Sequence, residues 1–300
     1  MRILVLQLKR IGDLILTTPA LTALRTAFPQ AHIALGVSGG AAALLPAVTG
    51  YQSAIVFGKG RGFAPWQQTL TGGWDVCLDF TGTDRSALAT ALARAGQRVA
   101  FSSSKKSPVR AFAYNRFVDS PVRDSHTVDR HVHLLRALSI DVPAPAPSLR
   151  LPGEAERDTA ALLPPGPYAV VHAGAARPEK CWPPEHWAQL ISHLHRRYPL
   201  ACVLTGGNDP RELAHLAEIQ SALRAAGSPE ARDLAGQLDL PGFVSVLARA
   251  RIVLSCDTAA VHVAAAFQRP QVALFGPTNP FHWRPRHDQA TVLSAAQPAA

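Results

Sequence analysis

Three stretches of this sequence put groups able to hold a phosphate or move a proton at the ends of short apolar runs. In the first, Ile252-Val253-Leu254-Ser255-Cys256 leads through Asp257-Thr258 into Ala259-Ala260-Val261-His262. An Asp-Thr pair at such a junction reads either as a plain helix cap or as the lip of an anion site. A helix start exposes N–H groups and partial positive charge, and small side chains at Ala259 and Ala260 let a diphosphate approach that backbone. His262 falls one turn after Thr258 on the same helical face, where it either packs or reaches the same ligand.

The second stretch, Val170 to Pro183, leaves an apolar run through His172, Ala173 and Gly174 and delivers Lys180 just before the next helix. It reads as a phosphate loop without Walker spacing, and Lys180, the only lysine after residue 150, supplies a point cation. A third run ends in Gly206-Gly207-Asn208-Asp209. By position, Asp209 or Glu212 would meet a ribose and Leu238 a base. In the first half, Ile11-Gly12-Asp13-Leu14 follows the first apolar run. Asp13 is there either the N-cap of a helix from Leu14 to Ala27 or a general base facing an interdomain cleft.

These groups need a scaffold that brings strand ends to one edge. Apolar β-branched runs at Ile3 to Leu6, Ile33 to Val37, Ala54 to Phe57, Val76 to Phe80 and Arg98 to Phe101 alternate with helical patterns at Leu14 to Ala27, Ala41 to Val48, Trp66 to Leu70 and Arg85 to Arg94. Such alternation predicts an α/β fold with a parallel sheet covered on both faces. Residues 102–124 read as a basic loop, and Thr127 to Leu138 as a closing helix. The proline-alternating run Val142 to Pro147 reads as an extended connector. After it the pattern restarts, with strands at Ala169 to His172, Ala201 to Thr205, Ile252 to Ser255 and Gln271 to Phe275. Two similar domains, residues 1–145 and 146–300, are therefore expected, and such α/β sheets bind nucleotides at their carboxyl edges.

Composition narrows the partners. The net charge of +9 lies wholly in the first half: residues 1–150 hold 17 Lys and Arg against 8 Asp and no Glu, and residues 151–300 hold 13 against 13. A basic first domain suits an anionic substrate. No nucleic-acid motif accompanies the charge, so nucleic acid is not expected as a partner. Cys77, Cys181, Cys202 and Cys256 form no CxxC pair, no run has the length of a membrane span, and the amino terminus does not read as a signal peptide, which together suggest a reducing cytoplasm.

Taken together, Gly12-Asp13-Leu14-Ile15-Leu16-Thr17-Thr18-Pro19-Ala20-Leu21, Lys180-x-Trp182-Pro183, Asp257-Thr258 with His262-Val263-Ala264-Ala265-Ala266, and Phe275-Gly276-Pro277-Thr278-Asn279-Pro280 resemble the lipopolysaccharide heptosyltransferases, glycosyltransferase family 9. The resemblance spans nearly the whole chain in matching order. It implies a GT-B fold of two facing Rossmann-like domains, an ADP-heptose or related ADP-sugar as co-substrate, no cofactor, no metal, and inversion at the anomeric carbon. Asp13 matches the family's proposed base. Lys180 and the helix start from Thr258 to His262, with Asp257 before it and Ala259 and Ala260 within it, match the family's diphosphate site, and Gly174, Asp209 and Leu238 join the donor site by position. The acceptor implied is an anionic glycolipid at the inner face of the cytoplasmic membrane, making the protein cytoplasmic or peripheral to that membrane. Lys9, Arg10 and Arg61 are the cations expected nearest the acceptor.

Two departures accompany the match. Ala259 stands where the family usually has glycine, which bears on donor preference. The chain also ends at Ala300 without the family's usual C-terminal helical segment. Two rival readings keep the fold: a sugar-nucleotide epimerase, and a non-catalytic sugar-nucleotide-binding module. A dehydrogenase is disfavoured because no GxGxxG follows any strand. His126, His131 and His133 are read as ordinary helical residues rather than metal ligands.

Overall fold

The uninterrupted apolar runs become the interior strands of two all-parallel sheets, as expected of strands buried on both faces. The computed structural model describes residues 1–120, 125–198 and 200–295. It divides into two units, Met1–Arg150 and Leu151–Ala300. The first unit holds β1 (Arg2–Gln7), β2 (His32–Ser38), β3 (Ser53–Phe57), β4 (Val76–Asp79), β5 (Gln97–Phe101) and β6 (Arg116–Val118). The second holds β7 (Tyr168–His172), β8 (Ala201–Leu204), β9 (Arg232–Asp233), β10 (Ile252–Cys256), β11 (Gln271–Phe275) and β12 (Ala290–Ser294).

The strand orders are β3-β2-β1-β4-β5-β6 and β12-β11-β10-β7-β8-β9. Counted within each unit, both are the doubly wound order 3-2-1-4-5-6. Each unit is thus Rossmann-like, with its topological switch point between the first and fourth strands, and ligands favour the crevice outside the carboxyl ends there. In the first unit that crevice lies between the ends of β1 and β4, which pair in register from Ile3 opposite Val76 to Leu6 opposite Asp79. In the second it lies between β7 and β10, paired from Ala169 opposite Ile252 to His172 opposite Ser255.

Each core follows from the strand sequences. Ile3, Leu4, Val5 and Leu6 are fully buried, as are Ala169, Val170 and Val171. In the second unit Trp187 lies at the centre of a cluster with Ile191, Leu204, Ile219 and Leu223, and Trp182 meets it edge to face at 5.2 Å. Trp283 packs against Val261, Ala273 and Phe275.

Several elements differ from the sequence reading. The helix expected from Leu14 to Ala27 is two helices, Ile11–Ile15 and Thr18–Ala27. Pro19, in the first turn of the second helix, has no N–H to continue the first, and the Thr17 hydroxyl donates to the Asp13 carbonyl at 2.8 Å across the break. The segment 102–124, read as a loop, forms a 3-10 turn (Ser102–Lys106), a short helix (Pro108–Ala111) and strand β6; residues 121–124 lie outside the described residues. The helix from Thr127 tightens to 3-10 geometry after Leu134. Strands β6, β9 and β12 and the helix Gly153–Ala160 were not expected, being short or largely polar. The connector docks on the first unit: Ser148 N–H donates to the Thr18 hydroxyl at 3.1 Å, and Arg150 N–H to the Ala47 carbonyl at 2.8 Å. The first unit consequently runs to Arg150.

Candidate active site

In the second unit the switch point gathers residues from distant parts of the chain. Asp257 follows β10 directly, its N–H fixed to the Leu274 carbonyl at 2.9 Å. Lys180 ends a 3-10 turn, Pro178–Lys180, in the loop after β7. Its ammonium donates to Asp257 Oδ2 at 2.5 Å, with side chains 18% and 8% exposed. An ammonium has three N–H groups, so this bond orients the cation and leaves two donors for a ligand oxygen. The helix Ala259–Ala266 begins beside it, and the Thr258 hydroxyl accepts from Ala260 N–H at 3.3 Å. Other first-turn amides have no intrahelical acceptor, which with the helix dipole favours an anion.

Thr258 is therefore the cap of that helix, and its hydroxyl stands beside the remaining first-turn amides. Ala259 is half-buried and helical, outside the left-handed region. Its methyl group imposes no backbone strain, and what remains of its departure from glycine is bulk beside the amides. His262 lies one turn further and is 7% exposed.

A groove that includes Cys181, the neighbour of Lys180, is also lined by Gly174, Ala175, Asp209, Arg211, Glu212 and His215. The Glu212 carboxylate lies against the loop ends of β7 and β8. A Cβ on Gly174 would overlap it, and one on Gly206 would stand 3.1 Å from Oε1. Glycine at those positions admits the carboxylate. Asp209 is the N-cap of helix Pro210–Ala225, accepting from Arg211 N–H at 2.9 Å. Leu238 stands outside the groove lining, half-buried before helix Leu240–Arg249. His172, at the end of β7, has Nδ1 at 3.1 Å from the Thr205 hydroxyl and the Phe243 ring at 5.3 Å. Burial pushes its imidazole down to about 4, so it is neutral near pH 7.

In the first unit Asp13 is not the N-cap; that position belongs to Arg10. Asp13 sits half-buried at the third helical position, and its carboxylate accepts from Arg10 N–H at 3.3 Å. Burial raises its proton affinity above the ordinary carboxylate value, opposed in part by the charges of Lys9 and Arg10. Lys9 and Arg10 are exposed beside it, whereas Arg61 is exposed on the loop after β3.

Sequence reasoning missed what lies beneath Asp13. Gln7 and Thr17 are fully buried and His131 is nearly so. Gln7 Nε2 donates to the Thr17 hydroxyl at 2.9 Å, and His131 Nδ1 lies 3.1 Å from both that hydroxyl and the Leu16 carbonyl. Burial pushes His131 down to about 3. The neutral ring can then donate to the Leu16 carbonyl, fixing the turn between the two helices. Across the switch point, Asp79 is fully buried and accepts from the Tyr114 hydroxyl at 2.6 Å and from Thr81 N–H at 2.7 Å. The signal for this network was polar residues set within apolar runs. Their partners, more than 100 positions apart in the case of Thr17 and His131, were not legible.

Arg211, Cys181 and His215 were also missed as groove residues; Arg211 and His215 share with Glu212 the start of the helix after Asp209. Among the described residues, no three His, Cys, Asp or Glu side chains converge as a metal cluster, and no helix is long and apolar enough to cross a membrane. All four cysteines are free.

Residues 63–300 match the family described as glycosyltransferase family 9 (heptosyltransferase). Lipopolysaccharide heptosyltransferase 1 of Salmonella typhimurium is 28% identical over 295 residues, covering 93% of this chain and 90% of that protein. Lipopolysaccharide heptosyltransferase 3 of Escherichia coli is 33% identical over 118 residues, a match that spans 39% of this chain and 34% of that protein. Among solved structures, E. coli heptosyltransferase WaaC with ADP superposes with a TM-score of 0.79 at 26% identity, covering 99% of this chain and 94% of that one.

Proposed function

The chain belongs to glycosyltransferase family 9, with the α/β GT-B fold of that family, and on that premise we propose that it moves a heptose or related sugar from an ADP-sugar to an anionic acceptor of the lipopolysaccharide-core type. The observation that carries the donor half is the Lys180–Asp257 ion pair set beside the start of helix Ala259–Ala266. In this reading the diphosphate rests on Lys180 and the first-turn amides, capped by Thr258, with Ala259 and Ala260 beneath it. Glu212 in its glycine cradle and Asp209 at the groove edge suit the two ribose hydroxyls. His262, one turn into helix Ala259–Ala266, adds to the donor contacts, and Gly174 leaves room for the Glu212 carboxylate.

The transfer is a direct displacement. The Asp13 carboxylate takes the proton of the acceptor hydroxyl as that oxygen bonds to the anomeric carbon, and the bond from that carbon to the diphosphate oxygen breaks. Attack from the face opposite the leaving group inverts the configuration. Negative charge growing on ADP meets fixed positive charge from Lys180 and the helix start, groups already in place before reaction. These groups meet the electrostatic demand that a metal ion meets elsewhere, so the reaction is assigned as metal-independent. Lys9, Arg10 and Arg61 give the first unit cations for the acceptor's anionic groups, and a cytoplasmic protein working at the inner membrane face suits a lipid-borne acceptor.

Product analysis tests this. With ADP-heptose and a heptose-free lipopolysaccharide acceptor in a chelator, the expected outcome is acceptor-dependent release of ADP and a product of inverted anomeric configuration. An altered donor sugar formed without acceptor would make the protein an epimerase, and donor binding with no turnover would make it a binding module; either result overturns the proposal.

A further inference from the structure

Among the described residues, Phe112, Phe63 and Val109 are the most exposed large apolar side chains, at 89%, 86% and 82%. They sit on two loops of one sheet. Phe63 ends the run Lys59-Gly60-Arg61-Gly62-Phe63 after β3, and Val109 and Phe112 follow Lys105-Lys106 after β5. In the order β3-β2-β1-β4-β5-β6, β3 and β5 each stand two strands from β1. At ordinary strand spacing each loop is about 10 Å to one side of the β1 end. Because the sheet is all parallel, both loops leave the carboxyl edge, where the β1 turn carries Lys9, Arg10 and Asp13.

The second loop is anchored. Arg110 donates to Asp84 at 2.6 Å and to the Gly82 carbonyl at 3.0 Å, holding the helix Pro108–Ala111 against the loop after β4. Lys105 lies 4.8 Å from the Phe117 ring centre, and Lys106 is exposed. Phe63 is the residue from which helix Ala64–Thr71 starts. The apolar tips are therefore presented by fixed backbone. The runs 59–63 and 105–112 together contain five Lys and Arg and no acidic residue.

We infer that the carboxyl edge of the first unit's sheet is a docking face for an anionic lipid surface, with Phe63, Val109 and Phe112 entering the acyl boundary and Lys59, Lys105 and Lys106 resting among the headgroups. Apolar tips flanked by lysines are what an interfacial site requires, since burial of the tips and attraction to anionic lipid act together. A second copy of this chain is a poor occupant, because the face would meet its own positive charge. The inference rests on the proposed function in one respect only: a lipid-borne acceptor docked here arrives at the edge that carries Asp13.

Vesicle sedimentation of the full chain tests it, with phosphatidylcholine alone and with phosphatidylglycerol mixed in. The wild type is expected to sediment with the anionic vesicles and to be released by salt. The Phe63→Ser/Phe112→Ser double variant is expected to lose roughly tenfold or more in vesicle affinity, with unchanged thermal midpoint and unchanged transfer to a delipidated acceptor. Equal vesicle binding by wild type and double variant, no binding by the wild type, or sedimentation of the wild type without vesicles would overturn the docking face. Vesicle binding that follows this pattern without any sugar transfer would leave the face standing and remove the transferase reading instead.

Discussion

Lys180 and Asp257, 77 residues apart in sequence, meet through a 2.5 Å charge-assisted bond at the carboxyl edge of the second sheet. Both side chains are largely buried, so neither behaves as a solvated surface charge. Removing one partner leaves the other charged and uncompensated. Lys180→Met is expected to cost roughly 1–3 kcal/mol in stability and to weaken ADP binding about 10- to 100-fold, read by urea unfolding and calorimetry. Unchanged ADP affinity would remove Lys180 from the donor site.

The pH profile of transfer follows from Asp13. A general base works ionised, and burial raises this carboxyl's proton affinity above the ordinary carboxylate value. Activity should therefore fall as pH drops, with the acid limb of kcat/KM lying above the usual aspartate range. A profile flat from pH 7 down to the usual aspartate value of about 4 would contradict the assignment.

Glu212 depends on the absence of a side chain at Gly174. Gly174→Ala should displace the carboxylate from the groove, and Glu212→Gln should keep the shape while removing the charge. Both are expected to lower ADP affinity, by about tenfold if one charged hydrogen bond to the ribose is lost. They should leave inorganic diphosphate binding little changed. Equal losses for both ligands would place Glu212 elsewhere than the ribose.

His131 and His172 make stability pH-dependent. Burial lowers their folded values to about 3 and about 4, below the ordinary 6.5. Between those limits the unfolded chain binds more protons than the folded one, so stability is lost as pH falls below about 6.5. Each histidine contributes at most about 1.4 kcal/mol per pH unit to that slope. His131→Gln should remove its share, measured as unfolding free energy at successive pH values. An unchanged slope would mean that the ring titrates alike in the folded and unfolded chain and is not shifted by burial.

Much of this was legible in the sequence for a physical reason. A parallel strand buried on both faces is a continuous apolar run, so β1, β2, β7, β10 and β11 announced themselves, and the residues just after them are where such sheets bind ligands. Asp13, Gly174 and Asp257 stand just after such strands, and the resemblance to glycosyltransferase family 9 singles out Asp13 and Asp257 independently. Strands β6, β9 and β12 were not, because edge strands of two to five residues with exposed positions carry too little apolar pattern. The break at Thr17 is stated locally by Pro19, yet amphipathic spacing continued across it and masked it. Long-range pairs such as Thr17 with His131, or Asp79 with Tyr114, depend on tertiary packing: a polar residue within an apolar run marks a position, but nothing local names its partner.

In the proposed transfer Asp13 acts in the chemical step while Lys180 and the start of helix Ala259–Ala266 hold the donor. The most direct measurement is ADP-heptose turnover by wild type and Asp13→Asn, with donor affinity determined on the same samples. Equal donor affinity is expected, with a turnover lower by about 10²-fold or more in the variant. Full turnover by Asp13→Asn would contradict it.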